Sequence, residues 1–109
     1  MSTPSGAGAD AVFSALGDPT RRRLIEILSV TPHATPTGLA GELPITRQAV
    51  AKHLAALSGA GLVRSVRAGR ETRYELDPTA LGEAADWIAS VGAEWEGRLE
   101  GLRRLLERE

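Results

Sequence analysis

The chain has 109 residues, about the size of one domain, and its 42% hydrophobic and 25% charged residues are typical of globular proteins. It has no cysteine, which excludes disulfides, thiolate nucleophiles and thiolate metal sites. No apolar run approaches the roughly 18 residues that a membrane helix needs, and the N-terminus does not have the pattern of a secretory signal, so we expect a cytoplasmic protein that makes no membrane contact.

Charge is strongly separated along the chain although the net charge is only −1. Residues 44–74 contain six basic side chains and one acidic side chain, whereas residues 75–109 contain four basic and nine acidic ones. A segment this rich in positive charge favours a polyanionic partner such as nucleic acid.

The first part of the chain predicts a tail followed by two helices. Residues 1–8 are rich in Ser, Thr, Pro and Gly, which predicts a disordered N-terminal tail. Residues 9–16 predict a short helix with Val12, Phe13 and Leu16 on one side, followed by a glycine that ends it. An Asp-Pro pair then begins a second helix, because Asp is a favoured N-cap and proline is tolerated at the first helical position.

The basic middle of the chain predicts two short helices and a hairpin. Residues 35–58 indicate a third helix that continues to Leu43, a tight turn at Pro44, and a fourth helix capped by Thr46. Residues 62–76 indicate a β-hairpin with arginines near its tip. This order of elements predicts a mainly α fold with a small β-hairpin wing, a winged helix-turn-helix with the order α-α-α-α-β-β-α in residues 9–109.

The fourth helix has one face that suits DNA. At 100° per residue Val50, Leu54 and Leu57 share the opposite, buried face. On the outer face, Gln48 can pair with adenine edges and Arg47 with guanine or with phosphate, and the small side chains allow close approach. The predicted DNA-binding residues of the helix pair and wing are Pro36, Thr37, Thr46, Arg47, Gln48, Ala51, Lys52, Arg64, Arg67, Arg70 and Arg73.

Residues 78–109 predict a long helix with apolar side chains at spacings of three or four. A helix of roughly 30 residues would be about 45 Å long, which is more than a domain of this size covers by itself. We therefore expect a homodimer formed through residues 78–109. The predicted dimer contacts of this helix are Trp87, Val91, Trp95, Leu99 and Leu102. Two alternatives are that this apolar face only completes the domain's own core, or that Trp87 and Trp95 line a pocket for a small-molecule effector.

Several of these segments resemble the ArsR family of winged helix-turn-helix transcriptional regulators. Residues 17–24 (GDPTRRRL) resemble the start of that family, residues 39–43 and 46–63 its helix-turn-helix, and residues 69–76 (GRETRYEL) its wing. The resemblance implies a dimeric repressor that acts by occupying its operator and forms its dimer through the first and last helices, residues 9–16 and 78–109. It therefore adds Val12, Phe13 and Leu16 to the predicted dimer contacts. Ala51 stands where many members carry serine, so a hydroxyl contact to DNA is not expected from that position.

Metal sensing, for which the family is named, is not predicted for this chain. Members that bind soft metals carry paired cysteines on the helix matching residues 36–43, and others place Asp and His ligands on the last helix. This chain has no cysteine, and its last helix has no histidine. His33 lies in a predicted loop, and His53 lies on the flank of the buried side of the fourth helix, where packing or hydrogen bonding is expected. We predict no metal and no other cofactor.

An enzyme and a protein-binding winged helix are the competing functions. The two histidines are distant in sequence and no other nucleophile and base are paired with them, so we predict no enzyme. A protein-binding module has no need of the positive charge around the turn and wing, which favours DNA. The predicted partners are therefore near-palindromic double-stranded operator DNA and a second copy of the chain, with a small-molecule effector left open.

Overall fold

The computed structural model describes residues 6–107, which form helices and a two-stranded hairpin. The helices are α1 (Gly6–Leu16), α2 (Pro19–Val30), α3 (Pro36–Ala40), α4 (Arg47–Gly59) and α5 (Pro78–Glu107), and the strands are β1 (Val63–Ala68) and β2 (Glu71–Leu76). The predicted winged helix-turn-helix order α-α-α-α-β-β-α is confirmed.

One apolar cluster holds these elements together. The largest side chains with less than 2% exposure are Leu24, Leu39, Leu54, Leu57, Leu62, Val12 and Val50. They come from α1, α2, α3, α4 and the start of the hairpin, so the cluster fixes the helix pair against the rest of the domain. Val12, one of the predicted dimer contacts, is 1% exposed in this cluster, so its side chain presents almost no surface to another chain.

Helix α1 begins earlier than the sequence predicts. It starts at Gly6 rather than at residue 9, so the predicted tail is wrong for residues 6–8. Residues 1–5 of that tail, like residues 108–109, lie outside the described residues. Ala9 is buried and Gly8 lies close to Glu83 of α5. Packing against α5 thus outweighs the poor helix propensity of glycine in the first turn.

Helix α3 ends earlier than the sequence predicts. Its N-cap Thr35 accepts a hydrogen bond from the Gly38 amide through its hydroxyl oxygen (3.1 Å), but the helix stops at Ala40 instead of Leu43. After Ala40 the chain turns, and residues 41–46 connect α3 to α4. Glycine and proline within this connection disfavour a longer helix, so the link is less tight than expected.

The end of α4 sets the direction of the hairpin. Gly61 has φ +77°, its amide donates to the Ser58 carbonyl (3.0 Å), and the Leu62 amide donates to the Leu57 carbonyl (3.0 Å). This is a Schellman motif, in which the left-handed residue favours glycine. Leu57 and Leu62 are both fully buried, so the motif anchors the base of the wing in the core.

The wing is an antiparallel hairpin with a two-residue turn. Val63 pairs with Leu76 at its base and Ala68 pairs with Glu71 at its tip. Gly69 has φ +62°, which suits the first turn position of a type II′ hairpin. A further bridge joins Tyr74 to Ala34, whose carbonyl accepts the Tyr74 amide at 2.8 Å. The bridge fastens the wing to the segment before α3.

The N-cap of α2 gives a prediction about acid stability. Partial burial raises the pKa of the Asp18 carboxyl, but hydrogen bonds from the Thr20 and Arg21 amides, with the charges of His53 and Arg21, outweigh burial and hold the pKa below its ordinary value. The cap therefore stabilises the fold at neutral pH and loses that contribution as the pH falls through the lowered pKa. Asparagine caps helices about as well and does not titrate.

We accordingly expect Asp18→Asn to unfold at nearly the wild-type temperature at about pH 7 and to lose less stability than the wild type towards about pH 3. Thermal melts followed by circular dichroism at one protein concentration test this. Parallel pH profiles for the two proteins would show that the Asp18 charge does not stabilise α2.

Candidate nucleic-acid interface

Helix α4 separates a buried face from an exposed one. Its N-cap Thr46 accepts the Ala49 amide through its hydroxyl (3.1 Å), and Val50, Leu54 and Leu57 are buried. The exposed side chains of the opposite face, here called the outer face, are Arg47, Gln48, Ala51, Lys52 and Ala55. Two cations, one amide and two small side chains thus form a surface that can approach the floor of a DNA groove.

A cleft of about 520 Å³ lies between the start of α3, the start of α4 and the wing. Four predicted DNA-binding residues line it: Pro36, Thr37, Arg47 and Arg70. The other lining residues are Thr35, Gly38, Glu71, Thr72 and Tyr74. Guanidinium groups and hydroxyls bind phosphate oxygens, and this cleft has two guanidinium groups and several hydroxyls. The carboxylate of Glu71 also lines the cleft, so the two positive charges there face one negative charge. Its chemistry suits a phosphate of a nucleic-acid backbone.

The arginines of the wing divide between its two faces. Alternation along β1 places Arg67 on one face and Arg64 on the other, and the register places Arg73 on the same face as Arg64. Arg64 donates to Glu75 (2.7 Å), and this hydrogen bond with the charge of Glu75 raises the pKa of Arg64. Arg73 faces Glu71 at 3.5 Å, and the Arg67 Nε donates to the Gly69 carbonyl (3.2 Å).

The structure therefore brings only some of the predicted DNA-binding residues together. Thr46 and the outer face of α4 lie beside the cleft residues, with Arg70 reaching them from the tip of the wing. Arg64 and Arg73 already have acidic partners, so a phosphate would have to compete with Glu75 and Glu71 for them. Both ion pairs are exposed, and pairs of this kind are weak.

Sequence reasoning missed three hydroxyl-bearing residues that line the cleft. Thr72 and Tyr74 line it from β2, and Thr35 from the N-cap of α3. The alternation of Thr72 and Tyr74 signalled that they share one face of the strand. Their closeness to α3 depends on the bridge between Ala34 and Tyr74, which no local pattern indicates.

A second surface runs along α5. Phe13 of α1 packs against Trp87 with ring centroids 5.5 Å apart, while Leu16 and Val91 are half-buried. Beyond this contact the exposed large apolar side chains of α5 include Trp95, Leu99, Leu102 and Leu106, at 54% to 71% exposure. We call these four residues with Ile88 the apolar stripe of α5. The guanidinium of Arg98 lies over the Trp95 ring, 5.9 Å from its centroid.

His53 has the role expected for it. It is half-buried on the flank of α4, and its Nδ1 accepts a hydrogen bond from Arg21 Nε at 3.2 Å. His33 lies in the loop before α3 with φ +64°, and its Nδ1 is 3.5 Å from Glu75. Within residues 6–107 no group of three or more His, Asp or Glu side chains is placed to hold a metal ion.

The fold and the outer face of α4 define a winged helix-turn-helix domain of a DNA-binding transcriptional regulator, and a family profile described as "Helix-turn-helix domain" matches residues 16–66. An HTH-type transcriptional regulator of Mycobacterium tuberculosis, Rv2034, is 38% identical over 100 residues, which cover 92% of this chain and 90% of that protein. The chain belongs to the ArsR family of transcriptional regulators.

Two further comparisons are also with transcriptional regulators, and the first of them is ArsR-like. The solved structure of an ArsR-like transcriptional regulator from Rhodococcus sp. RHA1 has a TM-score of 0.83 and 40% identity, and the match covers 93% of this chain and 94% of that one. The transcriptional repressor SdpR of Bacillus subtilis is 30% identical over 77 residues, which cover 71% of this chain and 84% of that protein. Among the helices of residues 6–107, none combines the length and the apolar character that crossing a bilayer requires.

Proposed function

We propose that the protein is a homodimeric repressor that binds a near-palindromic operator and acts by occupying it. The observation that carries the proposal is the continuity of the outer face of α4 with the phosphate-compatible cleft beside it. Base reading and phosphate binding are then available on one surface, as a helix-turn-helix requires. The protein acts where chromosomal DNA is, in the cytoplasm, and as a regulator instead of an enzyme.

The roles of the individual side chains follow from their position. Arg47 and Gln48, in the first turn of α4, are placed to read guanine and adenine edges in the major groove. Lys52 and the free amides at the start of α4 bind the backbone, and Ala51 leaves room for close approach. Pro36 and Thr37 border the phosphate in the cleft, and the wing residues Arg64, Arg67, Arg70 and Arg73 add contacts to the backbone or the adjacent minor groove.

The dimer is supported by the shape of the chain. Its radius of gyration is 18.8 Å, whereas a compact domain of about 100 residues has a value of about 13 Å. The difference comes from α5, whose apolar stripe is left exposed by a single chain. Pairing of two stripes around a two-fold axis would place the two α4 helices about 34 Å apart, one turn of DNA.

The effector of such a repressor is a separate question from its DNA site. Trp87 and Trp95 remain the candidates for an effector pocket at the dimer interface. One face of Trp95 is covered by Arg98, so a ligand there would approach the other face or displace the guanidinium. Tryptophan fluorescence titrated with a panel of metabolites tests this, and an unchanged signal throughout would argue against the pocket.

Substitutions in α4 and in the wing should have different effects. Arg47→Ala and Gln48→Ala are each expected to weaken binding to the operator by about fivefold to a hundredfold, because a base contact discriminates by about 1–3 kcal/mol. Gln48→Ala should barely change binding to a scrambled duplex, whereas Arg47→Ala should weaken it by a smaller factor than operator binding, because Arg47 also lines the phosphate-compatible cleft. Arg70→Ala should weaken binding to the operator and to the scrambled duplex by the same factor. It should also reduce the slope of log affinity against log salt concentration by about one unit per protomer. Fluorescence anisotropy at several salt concentrations measures these quantities.

Arg104→Ala is the matched control, because Arg104 is an exposed arginine near the end of α5. It should leave both affinities unchanged within about twofold. If each of the variants Arg47→Ala, Gln48→Ala and Arg70→Ala loses as much affinity for the scrambled duplex as for the operator, α4 does not read bases. Absence of binding to any duplex at low salt would instead favour a winged helix that binds protein.

A further inference from the structure

Arg21 contacts two other helices on the inner side of α4. It lies in the first turn of α2, and its side chain is half-buried. Its Nε donates to His53 Nδ1 in α4 at 3.2 Å, and its Nη1 donates over 3.5 Å to the carbonyl of Ala15 in α1. Residues 32 positions apart in the sequence are thereby joined by a directional contact.

The contact between Arg21 and His53 bears on the rotation of α4 because of where His53 lies on that helix. At 100° per residue His53 lies about 140° around the helix from Gln48, on the side away from the outer face. A rotation of α4 by about 20° would move a side-chain tip at a radius of about 5–6 Å by about 2 Å, enough to break a hydrogen bond to a base edge. Whatever holds His53 therefore sets the direction in which the reading side chains point.

The apolar core does not by itself provide that control. Val50, Leu54 and Leu57 keep one side of α4 buried, but burial is non-directional and tolerates small rotations. A hydrogen bond from a guanidinium to a ring nitrogen has a preferred direction and distance. The backbone of Arg21 is itself held, because its amide donates to the Asp18 N-cap at 3.3 Å.

We propose that Arg21 is a positioning residue for DNA reading: through His53 it fixes the rotation of α4, and through Ala15 it links that rotation to the end of α1. The inference rests on the proposed reading of DNA by the outer face of α4. Neither Arg21 nor His53 is required to touch DNA. Substituting either residue should therefore reduce the discrimination between specific and non-specific DNA without removing charged contacts to the DNA backbone.

The test uses full-length variants and a duplex that the wild-type protein enriches from a random-sequence library. Arg21→Met removes the guanidinium, His53→Leu removes the acceptor at similar bulk, and His53→Gln keeps an acceptor oxygen. Arg22→Met is the matched control, because the Arg22 guanidinium donates to the Leu16 carbonyl of α1 instead of to α4. Affinities for the enriched and a scrambled duplex are measured by fluorescence anisotropy, with melting temperatures as a check of folding.

Arg21→Met and His53→Leu should each weaken binding to the enriched duplex by about five- to tenfold and change binding to the scrambled duplex less than about twofold. The double variant should lose no more than either single one, because both remove the same contact. His53→Gln should recover most of the affinity, and Arg22→Met should bind like the wild type.

Three results would overturn the inference. The first is wild-type discrimination in both Arg21→Met and His53→Leu. The second is an equal loss of affinity for the enriched and the scrambled duplex, which would indicate that Arg21 binds a phosphate directly. The third is a His53→Gln variant as weak as His53→Leu at the same melting temperature. Failure of the wild-type protein to enrich any duplex would contradict the proposed function itself and is distinguishable from all three.

Discussion

Leu99→Glu is expected to convert the protein to a monomer and to weaken operator binding by about a hundredfold or more. Leu99 is 57% exposed in the apolar stripe of α5, between Trp95 and Leu102. A carboxylate there would be buried without a partner in both halves of a two-fold interface, and that costs several kcal/mol. Loss of the dimer weakens operator binding because a monomer can occupy only one half-site at a time.

Sedimentation equilibrium measures the dimer, and a mobility shift on the operator measures binding. Ala93→Glu is the matched control, since Ala93 is exposed on α5 about 160° around the helix from Trp95 and gains the same charge. It should stay dimeric and bind like the wild type. A dimeric Leu99→Glu variant with full operator affinity would contradict the assignment of the apolar stripe to the dimer interface.

Leu54→Ala should lower the free energy of unfolding by about 2–5 kcal/mol, as truncations of fully buried leucines do. Leu54 has 0% exposure and belongs to the buried face of α4, where it packs in the core cluster. The cavity would lie directly beneath the outer face, so the variant should also lose operator affinity as its folded fraction falls.

Urea unfolding at one fixed protein concentration tests this, because the stability of the proposed dimer would depend on concentration. Val30→Ala is the control truncation, since Val30 at the end of α2 is 78% exposed. It should change the free energy of unfolding by less than about 0.5 kcal/mol. Equal effects of the two substitutions would show that the core cluster does not stabilise α4.

The boundaries of most elements could be predicted because their signals are local. Asp18, Thr35, Thr46 and Gly61 each form a cap or turn with residues a few positions away, and these contacts are present in the structure. The two boundaries predicted wrongly differ in their cause. The first turn of α1 depends on packing against α5, which is distant in sequence, whereas α3 ends at Ala40 because the glycine and proline that follow disfavour a longer helix, a local signal that the prediction to Leu43 did not use.

The same distinction applies to the candidate site. The outer face of α4 followed from a helical period of 3.6, which fixes which side chains share a face whatever the surroundings. The cleft could not be predicted from this period, because it forms only when the wing packs beside α3 through the bridge between Ala34 and Tyr74. Val12 and Leu99 are both apolar residues on terminal helices, yet one is in the core and the other is exposed.

The sequence by itself thus determined the winged helix-turn-helix order, the buried and outer faces of α4 and the basic charge of the wing, because caps, periodicity and composition act over a few residues. Only the tertiary structure decided which apolar side chains of the terminal helices are left exposed and which arginines have acidic neighbours. It also decided that Arg21 reaches His53. These contacts join residues distant in sequence, and they depend on the angles at which the helices dock, which no local pattern specifies.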